Sequence, residues 1–273
     1  MATKPKLSAK IEADEPTQRL AVLIDADNAQ AAVIEGLLAE VARFGEATVK
    51  RIYGDFTSPA SAQWKKVLNR FAIKPVQQFA YTTGKNATDS TLIIDGMDLL
   101  YTRRFDGFCL VSSDSDFTGL ALRIREEGLT VYGFGERKTP EAFRNACHKF
   151  VFTEVLRPVA AQTLDDAAGG AVVAAAKPGL VPERPGAEPI NEDARAFPEP
   201  FFRQALEQAS DDSGWAHLGT FGSYLNKLRP DFDSRNFGYK KLSDLVKARG
   251  DLFETEERAA VGSGLKVVYV RAR

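Results

Sequence analysis

The sequence contains few of the residues on which many structural and catalytic sites depend. It has two cysteines, Cys109 and Cys147, and two histidines, His148 and His217, among 273 residues. The cysteines form neither a CxxC pair nor a cluster with histidine, so we expect neither a structural zinc site nor a redox dithiol. The histidines fall in different predicted domains, so a Ser-His-Asp or paired-histidine mechanism is not supported.

Long hydrophobic runs and an excess of charge are also missing. The sequence has no apolar run of about 18 residues to cross a bilayer, and its first 18 residues lack the hydrophobic block of a secretory signal. We therefore expect a cytoplasmic protein without a membrane partner. The net charge of −1 provides no global basic field, so any nucleic-acid contact must come from local basic patches. Neither GxGxxG nor GxxxxGK[ST] occurs at a strand-to-helix turn, which argues against a dinucleotide or P-loop site.

The first two-thirds of the chain alternates between short apolar runs and longer segments with helical spacing. This pattern predicts an α/β domain with a parallel sheet wound from βαβ units. The segment LAVLID is apolar throughout, as expected of a strand covered by helices on both faces. The predicted strands are 20–25, 48–53, 74–79, 107–112 and 130–134, and the predicted helices are 29–44, 60–71, 88–101, 117–127 and 140–148.

The composition changes sharply near residue 157. Residues 157–200 are rich in Ala, Gly and Pro and show no amphipathic period, which predicts a flexible linker. Residues 1–18 are expected to form a disordered tail, which leaves 19–156 as the first domain. From residue 201 to residue 273 the pattern predicts three helices and a terminal strand, and therefore a small, compact second domain.

Acidic residues follow the predicted strands of the first domain at three places. Asp25 and Asp27 come directly after the first strand, Asp89 opens a helix, and Asp114 and Asp116 follow the strand GFCLVS. Ligands of a wound sheet bind outside the carboxyl ends of its strands, where the strand order reverses. If the first and fourth strands are neighbours there, these carboxylates face one crevice. Carboxylates held that close repel one another, and a hard cation such as Mg²⁺ or Mn²⁺ relieves the repulsion.

Two other interpretations of these residues remain open. Asn28 and Asp116 could simply cap the helices that follow them. The DxD formed by Asp25 and Asp27 resembles that of haloacid-dehalogenase-type phosphatases, in which the first Asp is a nucleophile. The Thr or Val that such enzymes carry after the motif is absent here, where Ala29 follows Asn28.

Three motifs in this order, IDADN, KNATD and LVSSDSDF, carry a resemblance to a known family. Over about residues 19–156 the chain resembles the NYN domains of the PIN-like nuclease superfamily, most closely the LabA-like, DUF88 branch. The resemblance implies a PIN-like three-layer α/β/α fold and metal-dependent RNA cleavage. It assigns the acidic, metal-binding site to Asp25, Asp89, Asp114 and Asp116, with Asn28, Ser112, Asp95 and Lys85 in supporting roles. For Lys85, contact with a phosphate and exposure to solvent remain equally open.

The segment RPDFDSRNFGYKKLSDLV and the closing VVYVR carry a second resemblance. Residues 201–273 resemble OST-HTH, or LOTUS, domains, which implies a small winged-helix-like α+β domain that binds single-stranded or structured RNA. Arg235, Lys240 and Lys241 surround a Phe-Gly-Tyr turn and are the predicted RNA-binding residues. We expect both aromatic residues of that turn, and Trp215, to pack in the core.

The sequence therefore predicts a metal-dependent ribonuclease, of the endonuclease type, with a tethered RNA-binding domain. A flexible tether would place both domains on one RNA and raise the local concentration of substrate. A non-catalytic RNA-binding regulator that retains the same fold is the main alternative. A homodimer also remains open, although the helices show no heptad seam.

Overall fold

The computed structural model describes residues 17–57, 62–79, 87–157, 197–259 and 266–273. Lys85, most of the predicted N-terminal tail and residues 158–196 of the predicted linker lie outside this part of the chain. Within it, no helix is both long and apolar enough to span a bilayer.

The N-terminal region contains a six-stranded sheet in which all neighbouring strands are parallel. The strand order is β3-β2-β1-β4-β5-β6, so the order reverses between β1 and β4. The first and fourth strands are therefore neighbours, as the sequence analysis required. The strands are β1 (Arg19–Asp25), β2 (Glu46–Gly54), β3 (Lys74–Gln77), β4 (Gly107–Val111), β5 (Thr130–Gly135) and β6 (Lys149–Phe152).

Helices cover both faces of this sheet. Alternate residues of β1 enter two separate hydrophobic clusters: Ala21 and Leu23 pack in one, while Leu20, Val22 and Ile24 pack in the other. This confirms that the apolar strand is buried on both sides and that the fold is α/β with three layers. The helices are α1 (Ile34–Phe44), α2 (Ala62–Phe71), α3 (Ala87–Tyr101), α4 (Thr118–Glu126) and α5 (Glu141–Ala146).

The main difference from the predicted elements is the sixth strand, β6. The predicted helix 140–148 ends at Ala146, and the chain then enters a strand of four residues. So short an apolar segment after a helix carries no reliable period of its own, and its pairing with β5 decides its conformation. The first predicted helix also starts later, with a 3-10 turn at Ala31–Val33 before α1.

The C-terminal region packs helices against a small antiparallel sheet of order β7-β9-β8. The predicted helices are present, but the second begins only after strand β7, and β8 was not predicted. Trp215 is buried, and Phe237 and Tyr239 pack against the core, as expected. The elements are α6 (Glu199–Ala209), β7 (Ala216–His217), α7 (Leu218–Leu228), α8 (Leu242–Ala248), β8 (Phe253–Ala259) and β9 (Lys266–Ala272).

Candidate metal centre

The acidic residues of the N-terminal domain meet where the sheet reverses its strand order. Asp25 is the last residue of β1, and Ser112 and Asp114 directly follow β4. Because β1 and β4 are parallel neighbours, with Ile24 opposite Val111, both chains leave the sheet at the same edge. The Ser112 hydroxyl donates a hydrogen bond to Asp25 Oδ2 at 2.8 Å. The topology therefore brings two sequence motifs that are almost 90 residues apart into direct contact.

Asp25 is fully buried and has three hydrogen-bond donors around its carboxyl group. Besides Ser112, the Asn28 side-chain amide donates to Oδ2 at 2.8 Å, and the Asp27 backbone N–H donates to Oδ1 at 3.0 Å. Burial raises the pKa of Asp25, while these hydrogen bonds favour its ionised form and oppose that rise. The side chain is held in one orientation by its own loop and by the neighbouring strand.

Asp89, Asp114 and Asp116 form a group that can hold a metal ion. Each offers one carboxylate oxygen, and these three oxygens lie within 4.8 Å of one another. Hard oxygen ligands at this spacing suit Mg²⁺ or Mn²⁺. Asp25 is outside this group of three, and its two oxygens accept the hydrogen bonds described above. The structure thus brings together three of the four predicted ligands and keeps the fourth buried beside them.

Backbone hydrogen bonds fix the position of Asp114. Its N–H donates to Ser112 Oγ at 3.1 Å, and its Oδ1 accepts from the Asp116 N–H at 3.0 Å. Asp114 therefore caps the 3-10 turn Ser115–Phe117 that leads into α4. The capping role considered for Asp116 belongs to Asp114, and the side chain of Asn28 bonds Asp25 instead.

The electrostatic state of Asp89 reflects the crowding of carboxylates. Its pKa is raised to about 6, first by partial burial and then by the negative charges of Asp25, Asp114, Asp116 and Asp27. Each of these charges makes ionisation of Asp89 more costly. A bound cation would reverse that balance, so the donor set fits a divalent metal both in chemistry and in charge.

Asp95 lies on the same helix as Asp89 but has a different environment. Its carboxylate pairs with the Arg51 guanidinium and accepts a hydrogen bond from the Tyr53 hydroxyl. These contacts tie α3 to β2, so Asp95 supports the helix that carries Asp89. Neither partner of Asp95 was predicted from the sequence. Their spacing was a usable signal, because Arg51 and Tyr53 are two residues apart in β2, and side chains at that spacing project from the same face of a strand.

Comparisons with known families identify both domains of the chain. The family model of the NYN domain matches residues 19–156, which is just over half of the chain. The chain belongs to the NYN domain family. NYN domains are of the nuclease type, and nucleases of this kind usually use divalent metals. The OST-HTH/LOTUS domain model matches residues 197–261, and such domains bind RNA.

Solved structures of bacterial proteins resemble parts of this NYN protein. One is a solution structure of an uncharacterized protein from Nitrosomonas europaea, which is 57% identical in sequence. The match covers 36% of this chain and 92% of the other, with a TM-score of 0.28. A crystal structure of a protein of unknown function from Vibrio parahaemolyticus shares 19% identity over 52% and 96% of the two chains, with a TM-score of 0.43. A solution structure of a protein from Chromobacterium violaceum shares 37% identity over 28% and 78%, with a TM-score of 0.24. No curated protein matches the sequence.

The predicted RNA-binding residues of the OST-HTH domain have different environments. Lys240 and Lys241 are exposed. Arg235 is partly buried and forms ion pairs with Asp233 and with Glu40 of the NYN domain. Arg235 therefore differs from the two lysines in its environment, although the sequence placed all three around one turn.

Proposed function

We propose that this protein is a metal-dependent endoribonuclease whose OST-HTH domain holds the RNA substrate. The group formed by Asp89, Asp114 and Asp116, beside the buried Asp25, is the observation that carries the proposal. These three carboxylates would hold one or two Mg²⁺ or Mn²⁺ ions. Such an ion, when bound, lowers the pKa of a coordinated water and neutralises charge on a phosphodiester.

The surrounding residues position this acidic group. Ser112 Oγ donates to Asp25 and accepts from the Asp114 N–H, so one hydroxyl links the two acidic motifs. The Asn28 side-chain amide donates a second hydrogen bond to Asp25 Oδ2. Partners of this kind orient ligands, and their mutation commonly lowers metal affinity or activity by about 10–100-fold. In this proposal Asp25 adds a fourth acidic side chain beside Asp89, and Asp95 supports α3.

The burial of Asp25 disfavours the phosphatase alternative. A nucleophilic carboxylate must reach the phosphorus of its substrate, whereas Asp25 is 0% exposed and both of its oxygens accept hydrogen bonds. The more exposed acids are those of the group of three. This arrangement favours ion binding over formation of an aspartyl-phosphate.

A second surface of the OST-HTH domain supports RNA binding. The guanidinium groups of Arg271 and Arg258 lie 4.7 and 4.9 Å from the centre of the Trp215 ring, and that of Arg258 also lies 4.4 Å from the centre of the Tyr269 ring. His217 meets the Tyr269 ring edge-on at 5.8 Å. Guanidinium and aromatic planes are the groups on which nucleobases stack. We include this face, together with Lys240 and Lys241, in the proposed RNA surface.

The proposal is tested by cleavage of labelled single-stranded and structured RNAs with Mg²⁺, Mn²⁺ or EDTA. Asp89→Asn should abolish metal-dependent cleavage and weaken Mn²⁺ binding measured by calorimetry. Asp98→Asn is the matched control, because Asp98 is an exposed acid on the same helix. Its cleavage and Mn²⁺ binding should equal those of the wild type.

The outcomes separate the proposal from its main alternative. Cleavage that EDTA stops and Asp89→Asn removes supports the nuclease. RNA binding without cleavage under every metal condition would instead identify a non-catalytic RNA-binding regulator. Cleavage that persists in Asp89→Asn would contradict the role proposed for Asp89 in this centre.

A further inference from the structure

The two domains contact each other along the edge strand β6 of the NYN sheet. The Phe150 N–H donates to the Pro230 carbonyl oxygen at 2.8 Å, so a backbone group at this edge is satisfied by the OST-HTH domain. Unpaired groups at a sheet edge are open to pairing with other chains, and proteins usually cover or blunt them. Here the covering element comes from the second domain.

The residue before Phe150 extends the same contact. The Lys149 ammonium donates to Asn226 Oδ1 at 2.8 Å and to the Phe232 carbonyl oxygen at 2.7 Å. Burial lowers the pKa of Lys149, while the nearby carboxylates of Asp233 and Glu40 oppose that effect. A lysine taken out of water requires such acceptors. Both direct acceptors belong to the OST-HTH domain.

Glu40 on α1 makes a two-oxygen ion pair between the domains. Its side chain is only 7% exposed, and its two oxygens each accept from the Arg235 guanidinium at 2.9 Å. Arg43 also pairs with Glu40, but Arg43 is itself 67% exposed. Arg235 is additionally held by Asp233 within its own domain. Removing one partner of such a pair leaves a buried charge without compensation, which is strongly unfavourable.

The contact lies away from the candidate metal centre. β6 is three strands away from β1 in the sheet, and by the strand register Lys149 is level with Val22, three residues before Asp25. Glu40 is in the second half of α1, which returns toward the amino ends of the strands. On α5, Arg144 pairs with Asp231 of the OST-HTH domain. The OST-HTH domain therefore occupies the sheet edge and leaves the carboxylate end uncovered by these contacts.

We infer that the OST-HTH domain docks on the β6 edge of the NYN domain of its own chain, and that Arg235 is an interface residue. The edge is formed by Glu40, Arg144, Lys149 and Phe150, and its partner is the OST-HTH domain. Membership of the two domain families does not by itself specify this contact. The docked arrangement holds the RNA-binding domain in one orientation relative to the metal centre. The inference does not depend on catalysis, so it stands or fails independently of the proposed function.

Hydrogen exchange of the full-length protein tests this contact residue by residue. Exchange of the Phe150 amide should be slow in the wild type, since its acceptor is Pro230. Arg235→Glu places a third acid beside Glu40 and Asp233, and we expect at least tenfold faster exchange at Phe150. Small-angle scattering should show an increase in the radius of gyration of the same variant.

The matched control is Arg203→Glu, which makes the same change at an exposed position of the same domain. It should leave both the Phe150 exchange rate and the radius of gyration unchanged. Glu40→Gln changes the interface from the NYN side and should accelerate Phe150 exchange even if Arg235→Glu disturbs its own domain. Circular dichroism verifies that each variant is folded.

Two results would overturn the inference. The first is a Phe150 amide that exchanges equally fast in the wild type, Arg235→Glu and Glu40→Gln. The second is a dimer by light scattering whose dissociation on dilution releases the Phe150 amide, because the contact would then join two copies of the chain.

Discussion

Replacing Asp89 with asparagine should stabilise the metal-free protein, although it removes a proposed metal ligand. The pKa of Asp89 is raised from the ordinary 3.8 to about 6 by partial burial and by the neighbouring carboxylates. The folded protein therefore binds this proton more tightly than the unfolded chain does. Asparagine keeps the shape of the side chain and removes the repulsive charge.

The magnitude follows from the two pKa values. At about 1.36 kcal/mol per pH unit, the interval from 3.8 to about 6 corresponds to about 3 kcal/mol. Asp89 is partly exposed, and solvent screening reduces such a figure, so we expect a gain of about 1 kcal/mol. The cost of ionising Asp89 is absent below pH 3.8, grows between 3.8 and about 6, and is complete above that pH.

Thermal unfolding in EDTA at pH 4 and pH 7.5 measures this effect. Relative to the wild type, Asp89→Asn should gain about 2–4 °C at pH 7.5 and much less at pH 4. Excess Mn²⁺ should raise the melting temperature of the wild type, because a ligand that binds the folded state stabilises it. The variant should lose most of that increase, while Asp98→Asn should behave as the wild type does.

Either of two results would refute this reasoning. A gain at pH 4 equal to that at pH 7.5 would show that carboxylate repulsion is not its cause. Equal stabilisation of wild type and Asp89→Asn by Mn²⁺ would show that the ion binds elsewhere.

Three further variants probe the supporting contacts. Ser112→Ala removes a hydrogen-bond donor to the buried Asp25 and should reduce the rate of RNA cleavage about 10–100-fold while the protein remains folded. An unchanged cleavage rate would show that Ser112 does not support the site. Tyr53→Phe removes the hydroxyl that bonds Asp95 and should lower the free energy of unfolding by about 1–2 kcal/mol in urea titrations, whereas no change would mean that the bond is not formed in solution. Tyr269→Leu removes an aromatic plane from the OST-HTH sheet and should weaken RNA binding in fluorescence anisotropy without changing Mn²⁺ binding; unaltered RNA affinity would exclude this face.

The sequence was most informative for features that a single strand or a single motif is enough to predict. The apolar run of β1 predicted a strand buried on both faces, and the acids after β1 and β4 predicted a shared crevice. Both predictions needed only the chain direction and the alternation of strands and helices. Nothing in the described residues supports the homodimer that the sequence left open.

Pairwise contacts between distant segments were outside the reach of the sequence. The salt bridge between Arg51 and Asp95 depends on how α3 packs on β2, and β6 depends on a neighbour that pairs with it. Arg235 illustrates the same limit, since its charge and its basic neighbours predicted an RNA contact. One of the two acids that pair with it, Glu40, is 195 positions away in the sequence.

The two domain families, the parallel sheet and the residue types of the candidate metal centre could be inferred from the sequence. Tertiary structure decided which of four acids meet within 4.8 Å, which one is buried among donors, and which basic residues remain exposed. The physical reason is that hydrophobic periodicity is a local property of the chain. Distances between carboxylates, the desolvation of each one and the choice of an ion-pair partner arise only when separate elements pack together.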